Sequence, residues 1–123
     1  MIEKDYLKKQ IDLFFEELTA LLAKKPFKEE KLKHLEGYAE KYTRHTLTYF
    51  MNTPVEAIFL EYENDVNTLE IISELLLQTE NEIGVLQKAA KIIGRVDIVS
   101  KDFSFRRKEN KERIAQEIIK MLG

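Results

Sequence analysis

The sequence predicts an all-α fold: five or six antiparallel helices in a bundle or a tetratricopeptide-like stack of helical hairpins. Three observations predict it. Only four Gly and two Pro occur in 123 residues, and Lys, Glu, Leu and Ile dominate, which is a helix-forming composition. Apolar residues recur at alternating three- and four-residue steps. Start and stop signals cut this pattern into segments with short connections, as antiparallel helix pairs require. The 34-residue tetratricopeptide consensus ladder is absent, so any hairpin stack lacks true repeats. The length fits one domain, residues 1–123.

The first helix is expected from Ile2 to Lys24. Leu7, Ile11, Phe14, Leu18 and Leu21 fall on one face, widened by Phe15 and Leu22. Lys24 and Lys25 suit the negative end of the helix dipole, and Pro26 marks the stop. The second helix spans Lys28 to Phe50, with Leu32, Leu35, Tyr38, Ala39 and Tyr42 on one face. Thr43, Thr46 and Thr48 weaken its second half and predict a break near Thr43–Thr46.

Thr53, Pro54 and Glu56 form the start signal of a short third helix ending near Asn64: an N-cap, a first-position proline and a capping box. The fourth helix starts near Asn67 or Thr68, with Glu70 completing a second box. Leu69, Ile71, Ile72, Leu75, Leu76 and Leu77 leave it little polar face, which predicts the central, most buried helix. The fifth covers Asn81 to Arg95, with Gly84 marking a close approach and Gly94 the C-terminus. Asp97 to Phe103 is a loop. The sixth helix begins near Ser104, charged through Arg113 and anchored by Ile114, Ile118, Met121 and Leu122.

Composition narrows the chemistry. The chain has no cysteine, which removes disulfides, thiolate nucleophiles and cysteine zinc sites and leans toward the cytoplasm. The charged start Met1-Ile2-Glu3-Lys4-Asp5 has no apolar run behind it, so no signal peptide is expected. No apolar run approaches a membrane span, so no membrane partner is expected.

Charge is segregated along the chain. Residues 1–45 carry ten basic and nine acidic side chains, residues 46–87 carry eight acidic and no basic ones, and residues 88–123 carry ten basic and five acidic. Glu61, Glu63 and Asp65 in the acidic middle, and Arg106, Arg107 and Lys108 at the basic start of the sixth helix, are therefore candidate interaction patches. Cations at a helix N-terminus oppose the dipole. Contact with the acidic middle, in this chain or another, would offset that.

The opening Asp5-Tyr6-Leu7-Lys8-Lys9-Gln10-Ile11 resembles the start of a group of uncharacterised helical bacterial proteins. Those begin with an Asp-Tyr-(Leu/Ile)-x-Arg-Gln-Ile block and continue in tetratricopeptide-like helices; here Lys9 stands where that pattern has Arg. The resemblance covers about a tenth of the chain. It implies a helical bacterial protein without an assigned activity and transfers no functional residue.

Catalytic constellations are not evident. His34 and His45 lack the neighbouring Lys of a phosphotransfer histidine. Glu30 and His34 have the wrong step for a di-iron carboxylate bundle, and no zinc-protease motif occurs. Glu61, Glu63, Asp65 and Asn67 superficially resemble a calcium loop, but Val66 and Ile72 stand where that loop needs Gly and Glu. The four glycines are scattered, so there is no phosphate loop. The basic cluster beside Phe103 and Phe105 could serve nucleic acid, but Asp102, Glu109 and Glu112 interrupt it.

The expected function is a non-enzymatic protein-interaction module without a cofactor. It would engage an unidentified protein partner or associate with itself through the two charged patches. The alternative is a small-ligand or nucleic-acid binder built on Tyr6, Tyr38, Tyr42, Tyr49 and Phe50 around a helical groove.

Overall fold

The computed structural model describes residues 2–79, 82–100 and 104–123, with side chains from Gln10 onward. Among the described residues there are seven helices and no strand. They are α1 (Ile2–Ala23), α2 (Lys28–Thr43), α3 (Leu47–Asn52), α4 (Val55–Glu61), α5 (Val66–Thr79), α6 (Ile83–Val99) and α7 (Phe105–Leu122). The count exceeds five or six because the expected second helix is divided at the threonine-rich stretch.

That division has a local cause. Arg44 ends α2 in the left-handed conformation, with φ at 75° and its N–H on the Glu40 carbonyl. The Thr43 hydroxyl donates to the Ala39 carbonyl at 2.5 Å and accepts the His45 N–H at 3.2 Å. Thr46 then caps α3, accepting the Tyr49 N–H at 3.0 Å. Threonines that weaken a helix interior thus supply its end and the next beginning.

Two expected caps are replaced. Thr53 closes α3 through its N–H to the Tyr49 carbonyl at 2.9 Å, so it does not start the following helix. Pro54, with extended backbone (φ −58°, ψ 144°), occupies the cap position of α4, and α4 ends at Glu61 rather than near Asn64. Asp65, not Asn67, caps α5: its carboxylate accepts the Thr68 N–H at 3.1 Å and the Thr68 hydroxyl at 2.7 Å. Glu70 does not complete a box with Asn67 because its side chain turns to α7.

α6 runs through Gly94 to Val99. Gly94 does not adopt positive φ, and the turns beyond it bury Val96 and aim Asp97 at α7. Tertiary contact thus carries the helix past a residue that favours termination. Gly84 is not a point of close approach, since a Cβ there would meet nothing within 4 Å. The Asn81 expected at the start of α6, and residues 101–103 of the expected loop, lie outside the described residues. Ser104 caps α7, accepting the Arg107 N–H at 3.2 Å.

The core collects side chains from every helix. Ile11, Phe14 and Leu18 of α1, Leu35 of α2, Phe50 of α3 and Ile58 of α4 join one apolar cluster. Ile72, Leu75 and Leu76 of α5, Leu86 and Ile92 of α6 and Ile114 of α7 complete it. α1 and α2 form an antiparallel hairpin, with Phe14 edge-on to Tyr38 and Tyr42. α6 and α7 form another, with Asp97 bonded to Arg107 and Lys111.

α5 is the centre, as its composition predicts. Every residue from Thr68 to Thr79 is buried. α1, α2, α3, α6 and α7 all pack against it, so it has no solvent side. α7 is held differently. Its buried positions are Arg107, Asn110 and Ile114, and Ile118 is half-buried against the core. Met121 is 42% and Leu122 73% exposed, so these two do not anchor the helix.

Candidate functional site

The acidic middle and the basic start of α7 meet inside the chain. Glu70, Glu74 and Gln78 recur every four residues on α5 and so share one face. Glu70 receives the Arg106 Nε at 3.2 Å and lies 3.7 Å from Arg107. Glu74 receives Arg113 at 2.7 Å and the Gln78 amide at 2.6 Å. Arg107 also donates to Asp97 at 2.6 Å, and Lys111 reaches the other Asp97 oxygen at 2.6 Å. Burial raises the Asp97 carboxyl, but the bonds from Lys111 and Arg107 outweigh it and hold the group below its ordinary value.

Arg106 also ties α7 to α1. Its guanidinium lies 4.3 Å from the Phe15 ring centre and 3.7 Å from Asp12. Asn110 accepts a short bond from Arg113, and its buried Nδ2 has no partner among the described residues. Buried ion pairs contribute little net stability, but removing one partner is costly. The seam therefore fixes where α7 sits more than how tightly it is held.

The six expected patch residues do not form one surface. Arg106 and Arg107 are engaged in the seam, and Arg107 is buried. Lys108 is exposed. Glu61 accepts His45 at 2.5 Å and the Tyr49 hydroxyl at 2.8 Å, while His45 stacks on Tyr49 at 3.8 Å. Burial raises the Glu61 carboxyl, but the His45 and Tyr49 bonds bring it below its usual value. Asp65 is spent on the α5 cap, and Glu63 is exposed.

The expected tyrosine groove is divided. A cleft of about 510 Å³ is lined by Tyr42 and Tyr62 together with Gln10, Arg44, Asp65 and Asn67. The Tyr42 hydroxyl donates to Glu17 at 2.6 Å, and that of Tyr62 to the Thr43 carbonyl at 2.7 Å. Burial, then the Glu17 carboxylate, push Tyr42 up to about 12, so it is a neutral donor at physiological pH. Tyr38 borders a different, smaller cleft, and Phe50 is fully buried. The Tyr6 side chain and Phe103 lie outside the described residues. Among the described residues no group of three or more His, Asp or Glu is placed to hold a metal ion.

The outer face of α7 was not singled out from the sequence. Phe105, Lys108, Glu112, Ala115, Ile119 and Leu122 are all exposed, with Phe105 at 74%, Ile119 at 67% and Leu122 at 73%. Their alternating three- and four-residue spacing was legible. The assumption that Leu122 anchored the helix concealed it. No protein-family model matches this chain, and no curated protein or solved structure matches it.

Proposed function

We propose that the chain is a non-enzymatic helical protein-interaction module that docks its partner along the outer face of α7. The observation that carries this reading is the exposure of Phe105, Ile119 and Leu122 on one face of one helix. Large apolar side chains aligned on a surface mark contact sites more often than scattered ones do. The hairpins α1–α2 and α6–α7, both packed against α5, support a scaffold of tetratricopeptide-like shape. The cysteine-free composition supports a cytoplasmic setting, and the resemblance of the opening block supports a bacterial one. No described helix is long and apolar enough to cross a membrane.

The test compares wild type with an Ile119→Lys/Leu122→Lys variant in chemical crosslinking and native mass spectrometry. Circular dichroism confirms that both are folded. The expected result is a protein complex, of this chain with itself or with another protein, that the double substitution abolishes. A complex that survives the substitution overturns docking at α7. Failure of wild type to form any complex overturns the module reading.

A small-ligand binder remains the alternative reading, and it draws on the cleft of about 510 Å³. A native mass that reproducibly exceeds the denatured mass would favour it.

A further inference from the structure

We infer that the partner of the α7 face is a second copy of this chain, bound antiparallel to the first; the inference rests on the interaction-module reading above. Phe105, Lys108, Glu112, Ala115, Ile119 and Leu122 follow the three-four spacing of a coiled-coil seam. All six are exposed, while Ile114 and Ile118 on another side of the helix meet the core.

The order of residues along the seam selects the partner. In an antiparallel pair, the two kinds of seam position face each other across the axis. With the twofold axis at the level of Asn110, Lys108 faces Glu112 of the second copy, and Glu112 faces Lys108 of the second copy. Phe105 faces the small Ala115 of the second copy, and the reverse. One register therefore matches charge with opposite charge and large with small, twice over, as an isologous contact requires. A parallel arrangement would set Lys108 against Lys108 and Glu112 against Glu112.

The same register accounts for the apolar residues at both ends of the face. Ile119 lies about 21 Å along the helix from Phe105 at 1.5 Å per residue. Ile119 and Leu122 therefore extend past Phe105 of the second copy. The polar pair in the middle sets register and direction, and the apolar ends supply the burial.

Sedimentation velocity of the full chain across a concentration series tests this. Wild type is expected to dimerise. Lys108→Glu places like charges opposite each other twice per dimer and is expected to weaken dimerisation about tenfold. Combining it with Glu112→Lys restores opposite charges, and affinity is expected to return to within about threefold of wild type. Direction is read from disulfides, because the chain has no cysteine of its own. An equal mixture of Lys108→Cys and Glu112→Cys chains is expected to yield mainly the mixed disulfide.

A dimer indifferent to Lys108→Glu overturns this register. Predominantly like-with-like disulfides overturn the antiparallel direction. A monomer at every concentration, with a complex to another protein still abolished by Ile119→Lys/Leu122→Lys, overturns the second copy as partner and leaves the module reading standing.

Discussion

Glu74 of α5 is 1% exposed, and its carboxylate is bonded at 2.7 Å to Arg113 of α7, whose side chain is 47% exposed. The pair is asymmetric, and so are the consequences of breaking it. Arg113→Ala leaves a buried carboxylate with only the Gln78 amide and is expected to cost about 3 kcal/mol. Glu74→Gln leaves a guanidinium that turns to water and keeps an oxygen for the buried Gln78 amide; it is expected to cost less than about 1 kcal/mol. Urea melts of the two variants give the comparison.

Arg107→Glu should act on the fold rather than on assembly. It places a carboxylate between Glu70 and Asp97 at a buried position, with an expected cost of about 3–5 kcal/mol. Lys108→Glu, one residue on and exposed, is expected to stay within about 0.5 kcal/mol of wild type. Equal melts for the two would refute the division of roles between neighbouring cations.

Acid should loosen the attachment of α7 to α6. Asp97 is held below its ordinary value in the fold, so its unfolded form binds protons first as pH falls. Its contribution is fully present above the unfolded value, about 3.9, and is lost as pH falls below that through the folded value. Denaturant midpoints measured from pH 7 to pH 2 are expected to fall less steeply below pH 4 in Asp97→Asn than in wild type.

Phe14 and Leu76 are both fully buried. Phe14→Ala is expected to cost about 3–5 kcal/mol and Leu76→Ala about 2–5 kcal/mol, the range for deleting large core side chains. A loss well under 1 kcal/mol at either position would remove it from the core.

Arg44 holds a left-handed backbone without being glycine. Arg44→Gly is expected to raise stability by about 0.5–1 kcal/mol, because glycine meets no Cβ penalty there. A lowered thermal midpoint would mean that the Arg44 side chain contributes more than its backbone costs.

The spacing of Ile11, Phe14, Leu18 and Leu21 was enough to place α1 on the core, and the leucine run was enough to make α5 central. The threonines at 43 and 46 announced the break between α2 and α3. What escaped was tertiary. Gly94 carries a local stop signal, but contacts of Val96 and Asp97 extend α6 beyond it. Thr53 and Asn67 are good caps by residue type, but the chain used Pro54 and Asp65. The charge segregation was legible as well. Whether opposite charges distant in sequence meet within one chain or between two depends on helix order in space, which one sequence does not state. The structure pairs Arg106, Arg107 and Arg113 with Glu70 and Glu74 internally and leaves Lys108 and Glu63 on the surface.

The enclosure of α5 predicts how the protein tolerates change. Along a helix with one wet side, a saturation mutagenesis map shows permissive sites at a period of 3.6 residues. From Thr68 to Thr79 there is no wet side, so the map should show an unbroken intolerant band. That band is the part of the chain where sequence drift is expected to be slowest.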